Sequence, residues 1–309
     1  MDVGARAAEL AGPLEMFPPV DFCCAYGSSL LPNNDNKSAM VDYILGVAEP
    51  VQWHAEITRV ADGIGVGVHF NPFVQWKDKM IKYGVVGMQE LARDLLAWDR
   101  FYLSGRLQKP VRILVDNYDI EKVNAVNLKA ATSAALLLSS PEFTEEELYS
   151  KICSLSYMGD LRMLFAEDKN KVNKIVKGSF GSFHKMYKPF IAEYITDGLL
   201  KSSTNGPQKA FEQDCGLSAS QSLFSSLPWT IRAGLKTAEK VTRDAGGAIP
   251  QVAVSSRQEA INCTRRVLRR LVMVSSARQA VSGVLAAGGV NAVRYLGKKM
   301  CRAWRSRVP

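Results

Sequence analysis

No apolar run in the sequence approaches the roughly 18 residues that a membrane-crossing helix needs, so a spanning segment is not expected. Histidine is scarce: His54, His69 and His184 lie far apart. The six cysteines, Cys23, Cys24, Cys153, Cys215, Cys263 and Cys301, show no C-x-x-C spacing. Neither a zinc site nor a disulfide framework is expected, and a reducing compartment fits best. The adjacent Cys23 and Cys24 point to opposite faces of a strand, which makes them a poor pair for a bridge or a metal. Acid is nearly absent from the end of the chain. From Arg257 onward there are twelve Lys and Arg against one acid, Glu259, so this stretch carries +11 of a net +9 and the remainder is close to neutral. A basic end on a neutral body suggests a polyanionic surface, either anionic lipid or nucleic acid. The N-terminus lacks the apolar core of a secretory signal, and Asp2, Glu9 and Glu15 make it too acidic for a good mitochondrial presequence.

What remains is an ordinary globular composition, with 309 residues, 47% hydrophobic and 22% charged, enough for two domains. Residues 22–26 and 40–47 are short apolar runs of strand length. Gly27 and Ser28 end the first, and Asp42 sits inside the second. A Gly-Ser turn after a strand lets backbone N–H groups approach a phosphate, because no Cβ stands in the way. An acid on the neighbouring strand can hold a divalent metal against that phosphate. The plainer reading is a hairpin turn beside a tolerated strand Asp.

Further strands are expected at 66–70 and 111–115, with a turn at Asn71-Pro72. Leu91, Leu95, Trp98 and Tyr102 recur on one face of a helix expected over 88–102, ended by Gly105. Trp53-His54 follows the Pro50 strand break and is read as site-facing or structural. Lys82 is a candidate partner for a triphosphate, against the commoner reading of an exposed lysine, and residues 106–110 read as a basic turn. Asp116, at a strand end, is a candidate second metal carboxylate, against the alternative of a turn former. From Ile120 the chain reads as helical, and Thr144 and Glu147 have capping-box spacing. Residues 201–250 are rich in Ser, Gly, Gln and Thr and are expected to form a poorly ordered linker with short helices. Helices are expected over 255–278 and 280–305. The second places Val281, Leu285, Leu296, Met300 and Trp304 opposite Arg294, Lys298, Lys299, Arg302 and Arg305. That is the pattern of an interfacial anchor or of a terminal helix docked with a solvated basic face.

Several blocks together resemble the mitochondrial phosphatidate cytidylyltransferase family, also called the translocator assembly and maintenance proteins or mitochondrial CDP-diacylglycerol synthases. They are Y-G-S at 26–28, M-V-D-Y at 40–43, P-V-Q-W-H at 50–54, G-V-H-F-N-P at 67–72, K-Y-G-V at 82–85, W-D-R-F-Y-L-S-G-R-L-Q-K-P-V at 98–111, L-S-Y-M-G-D-L-R-M at 155–163 and A-E-D-K-N-K-V at 166–172. The V-M-V-S-S-A-R-Q-A stretch at 272–280 looks closest to plant members. The resemblance implies an α+β chain with a polymerase-beta-like nucleotidyltransferase domain, a helical, winged-helix-like second domain and a basic amphipathic C-terminal helix. It suggests an extension over 1–16, the nucleotidyltransferase domain over 17–119, the second domain over 120–200, a linker over 201–254 and a membrane-associating segment over 255–309.

The implied activity is Mg²⁺-dependent conversion of CTP and phosphatidate into CDP-diacylglycerol and pyrophosphate. That supply would serve cardiolipin and phosphatidylglycerol synthesis, on the matrix side of the inner mitochondrial membrane. The resemblance suggests Tyr26, Gly27 and Ser28 for the nucleotide, joined by Tyr157, Asp160 and Arg162 from the second domain. Asp42 would bind Mg²⁺ with Asp116, and Lys82, Arg106 and Lys109 would meet phosphate charges. Arg294, Lys298, Lys299, Arg302, Trp304 and Arg305 would face an anionic membrane.

Two features depart from the family pattern. Nucleotidyltransferases often carry a second carboxylate two residues along the strand, where this chain has Ile44. The stretch after Trp53-His54 is also abbreviated, with only residues 55–65 before the next block. An interaction protein with impaired turnover is one alternative. An RNA-directed nucleotidyltransferase is another, against which the basic end offers only Tyr295 and Trp304 for base stacking.

Overall fold

The computed structural model describes residues 3–34, 40–50, 67–161, 163, 170–203, 210–235 and 253–287. Trp53-His54, the abbreviated 55–65 stretch, Arg162 and the basic residues from Arg294 to Arg305 lie outside the described residues.

A five-stranded mixed sheet organises the first half. Its strands are β1 (Phe22–Tyr26), β2 (Val41–Val47), β3 (His69–Trp76), β4 (Lys79–Gly87) and β5 (Arg112–Asp116), in the order β3-β4-β2-β1-β5. β1 runs antiparallel to both β2 and β5, while β2 and β4 are parallel. Every residue of β1 is buried, as a central strand with both faces covered requires. Asn71-Pro72 does not form the expected turn. It lies within β3, where the pairing with β4 slips between Asn71 and Val74. An edge strand tolerates this, because proline withholds a ladder donor that an edge does not need.

The expected helix over 88–102 is shorter. α1 (Val3–Ala11) precedes the sheet, and α2 (Met88–Ala97) follows β4. α2 ends at Trp98, which adopts the left-handed conformation at φ 56°. Gly105 then lies inside a short α3 (Leu103–Leu107) rather than terminating the longer helix.

The second half is built on α4 (Ile120–Leu138), whose Ala- and Leu-rich turns from Leu128 onward are buried around most of their circumference. β6 (Glu142–Thr144) leads into α5 (Glu145–Leu155), capped by the expected reciprocal pair: Glu147 N–H donates to Thr144 Oγ1, and Thr144 N–H donates to Glu147 Oε2. α6 (Lys171–Gly178) and α7 (Phe180–Thr196) complete the helical layer.

The linker expected over 201–254 is not what the structure shows up to residue 235. β7 (Leu200–Ser203) and β8 (Ala210–Gln213) join β6 in a three-stranded sheet, followed by α8 (Leu217–Ser225) and α9 (Trp229–Arg232). Phe211, Leu223, Phe224, Leu227 and Ile231 from this stretch are buried in the main core. Polar composition disguised a segment most of whose large apolar side chains are buried, Leu217 and Trp229 being the exposed ones.

α10 (Arg257–Ala287) runs unbroken through the expected division at 278–280. Ala260, Cys263, Leu268 and Val272 pack into the same core. The assignment of everything from 255 onward to a membrane segment therefore needs correction: one face of α10 docks on the protein itself.

Candidate functional site

Pairing in the sheet sets three of the expected residues side by side. Tyr26 faces Asp42 across β1 and β2, and Asp42 faces Lys82 across β2 and β4. Gly27 leaves β1 with φ 104° and ψ 179°, a conformation essentially restricted to glycine. A Cβ there would lie 2.8 Å from Asp42 Oδ2, so the bare backbone of the turn presses against the carboxylate. Ser28 opens a single 3-10 turn, Ser28–Leu30, closed by Leu30 N–H donating to Gly27 O. The Ser29 hydroxyl beside it is buried with no hydrogen-bond partner.

Arg106 stands over this row. Its guanidinium lies 4.3 Å from the centre of the Tyr26 ring, and its Nε is also buried without a partner. Burial works against its charge, but Tyr26, Tyr102, Tyr157 and Asp42 around it more than offset that, and its pKa is raised. The Tyr26 phenol is raised well above its ordinary value, first by burial and then by Tyr102 and Asp42. Lys82 Nζ sits 4.5 Å over the Phe70 ring, which meets Tyr102 edge-on at 5.9 Å.

Lys109 is 6% exposed. It donates to Gly105 O at 2.6 Å and to Ser156 Oγ at 2.5 Å, with its ammonium 4.9 Å over Tyr157. It thereby ties α3 to the end of α5, so its role is partly that of a brace. Arg106, Lys109 and Tyr157 line one open cleft with Tyr102, Ser275 and Gln279. The structure thus brings together Tyr26, Gly27, Ser28, Asp42, Lys82, Arg106, Lys109 and Tyr157. Asp160 is 2% exposed and is not among the cleft-lining residues.

Asp116 does not belong with them. It pairs with Phe22, whereas Asp42 pairs with Tyr26. The two acids sit at opposite ends of β1 and on opposite sides of it, separated by about 13 Å along the strand alone at about 3.3 Å per residue, too far to share an ion. Asp116 instead accepts from Ile120 N–H at 2.7 Å and Glu121 N–H at 3.0 Å, closing the start of α4. Among the described residues no three His, Cys, Asp or Glu come together as a metal cage. Asp42 with a substrate's phosphate oxygens nevertheless fits Mg²⁺, which commonly uses one or two carboxylates and completes its shell from phosphates and water.

The residues that hold the cations in place escape sequence reasoning. Asp94, 4% exposed, accepts from the backbone N–H groups of Arg100, Phe101, Leu103 and Ser104. This carboxylate folds the 98–104 loop and so aims α3. Asn127 accepts from Trp98 Nε1 and Gln108 Nε2 and donates to Ser104 O, fastening the loop to α4. One signal was available for Asp94: it lies between Leu91 and Leu95 on the apolar face of α2, where an unpaired acid would be costly.

The family model described as "Phosphatidate cytidylyltransferase, mitochondrial" matches residues 10–57 and 55–302, and the two stretches meet within the abbreviated region. The Danio rerio protein named mitochondrial phosphatidate cytidylyltransferase is 32% identical over 319 residues, covering 93% of this chain and 92% of that one. The Bos taurus protein of the same name is 32% identical over 324 residues, covering 96% and 94%. The Homo sapiens one is 32% identical over 320 residues, covering 92% and 68%. A solved nucleotidyltransferase-like protein from Exiguobacterium sibiricum aligns with 67% of this chain and 98% of its own at 10% identity, with a TM-score of 0.26, too low to bear on the argument. With similarity sustained through both halves, this chain belongs to the mitochondrial phosphatidate cytidylyltransferase family.

Proposed function

We propose that this protein is a CTP:phosphatidate cytidylyltransferase that makes CDP-diacylglycerol and pyrophosphate, supplying cardiolipin and phosphatidylglycerol synthesis. The observation that carries the reading is the contact between the Gly27 backbone and the Asp42 carboxylate. It joins a phosphate-accepting turn to a metal-competent acid, and Arg106, stacked on Tyr26 at the same strand end, links it to the cleft that Arg106 and Lys109 line. Arg106, whose buried Nε has no hydrogen-bond partner, is a side chain of the cleft that a phosphate-rich ligand would enter.

In this reading the Gly27-Ser28 turn receives the triphosphate of CTP and Asp42 holds Mg²⁺. The ion would neutralise phosphate charge as it develops. A phosphate oxygen of phosphatidate attacks the α-phosphorus of CTP. The bond from that phosphorus to the β-phosphate oxygen breaks, and pyrophosphate leaves with its electron pair. Arg106 and Lys82 counter the negative charge gathered by two anionic substrates. The phosphate nucleophile is already ionised near neutral pH, so no general base is assigned. The protein works peripherally at an anionic membrane surface, on the matrix side of the inner mitochondrial membrane. Arg294, Lys298, Lys299, Arg302, Trp304 and Arg305 supply the contact.

The test is CDP-diacylglycerol formation from labelled CTP and phosphatidate in liposomes with Mg²⁺. Product from the unaltered chain and none from Asp42→Ala supports the assignment; equal product from both removes Asp42 from it. The abbreviated stretch after His54 favours one second reading, a family member with impaired turnover that acts through binding. A folded chain that binds anionic liposomes but forms no product would establish that alternative.

A further inference from the structure

We propose that the wall α10 contributes to the cleft forms the subsite for the phosphate of the acceptor lipid, and that Gln279 is a positioning residue for Tyr102 there. The inference deepens the cytidylyltransferase reading and rests on it.

The two anionic substrates place different demands on a site. A triphosphate arrives with a divalent ion and needs a carboxylate nearby, which Asp42 provides at the sheet end. A phosphomonoester without its own metal needs donors and cations, and is repelled by acid. The cleft beyond Arg106 meets the second demand: it is walled by Lys109, Tyr102, Tyr157, Ser275 and Gln279, and no acidic side chain lines it among the described residues.

Three hydrogen bonds from one face of α10 fix the loops that carry these groups. Ser275 Oγ donates to Arg100 O. Ser276 Oγ accepts from Leu161 N–H at 3.3 Å. Gln279 Nε2 donates to the Tyr102 hydroxyl oxygen at 2.8 Å. The last bond has a chemical consequence. With a lone pair of its oxygen occupied by an amide donor, the Tyr102 phenol is set to give its own hydrogen to an acceptor, and a phosphate oxygen in the cleft is such an acceptor. Tyr102 also lies beside Arg106, so one phosphate can meet both.

The experiment uses the full chain and a water-soluble, short-chain phosphatidate, which separates site binding from membrane docking. Steady-state constants for CTP and for the lipid are compared among the unaltered chain, Gln279→Met, Tyr102→Phe and the double variant, with thermal unfolding as the control for folding. Each single variant is expected to raise KM for the lipid by about five- to tenfold while KM for CTP moves less than about twofold. The double variant is expected to match Tyr102→Phe, because Gln279 acts through that hydroxyl. Equal shifts in both KM values, a shift in CTP alone, or a fully additive double variant would overturn the proposal. If the unaltered chain forms no product, the cytidylyltransferase reading fails and this subsite falls with it. If it forms product and the variants behave like it, only the subsite is lost.

Discussion

Gly27 carries the most constrained backbone of the site, with its φ of 104° and its neighbour Asp42 at 2.8 Å from any added Cβ. Gly27→Ala is expected to cost about 1–3 kcal/mol in stability and to abolish turnover, read by chemical denaturation and product formation on the same sample. Arg106→Lys keeps the charge but gives up the flat stacking on Tyr26 and the forked donors. It should lower kcat/KM on the order of tenfold or more, whereas exchange of a point charge for a point charge would leave it unchanged. That Gly27, Asp42 and Arg106 would lie together was legible, the first two as a turn and an acid on neighbouring strands and Arg106 through the family resemblance. Asp94 was not. Its partners are backbone N–H groups of a loop that sequence does not draw, and only its place among Leu91 and Leu95 hints at them. Asp94→Asn sets an amide against those donors and is expected to destabilise the fold on the order of 3 kcal/mol. Lost activity in that variant should follow the 98–104 loop, visible as shifted Trp98 fluorescence.

At the level of elements, the difference between a cap and a metal ligand was decided by strand register. Asp116 at the end of β5 has the same sequence signature in either role, and only its pairing with Phe22 reveals the distance from Asp42. Asp116→Ala should therefore cost about 1 kcal/mol as a lost helix-start partner and leave the Mg²⁺ dependence of turnover intact. A changed Mg²⁺ requirement would restore it to the metal site. The strands around Gly27 and the capping box at Thr144 could be read directly, since period and spacing are local properties. The small sheet of β6, β8 and β7 could not. Its strands are three or four residues long, and Phe143 and Phe211 meet across it at 5.9 Å, a contact distant in sequence.

Over the whole molecule, the two halves share one continuous body, since Trp98 and Phe101 from the first lie in the same core as α4, α7 and α10. The described cysteines report on that body. Burial pushes the Cys24 thiol up from 9.0 to about 12, and Cys23 is raised further still. Folding thus favours the protonated thiols. That contribution is complete below pH 9.0 and is lost as pH rises through about 12. At pH 8 a thiol reagent should label Cys215, which is partly exposed, promptly, and reach Cys23 and Cys24 only as fast as the sheet opens. Labelling of Cys23 in the folded protein would contradict the burial of β1.

Strand order also governs how the sheet comes apart. Gly27 and Asp42 hang from β1 and β2, which lie inside the sheet, while β3 and β5 form its two margins. Breathing of a sheet begins at its margins and reaches inner strands last. Amide exchange should therefore be rapid along β3 and slowest at Cys24 and Ile44. The Gly27-Ser28 turn proposed to receive phosphate is anchored to the part of the sheet that opens last, so fluctuations that release a margin leave the turn and Asp42 assembled.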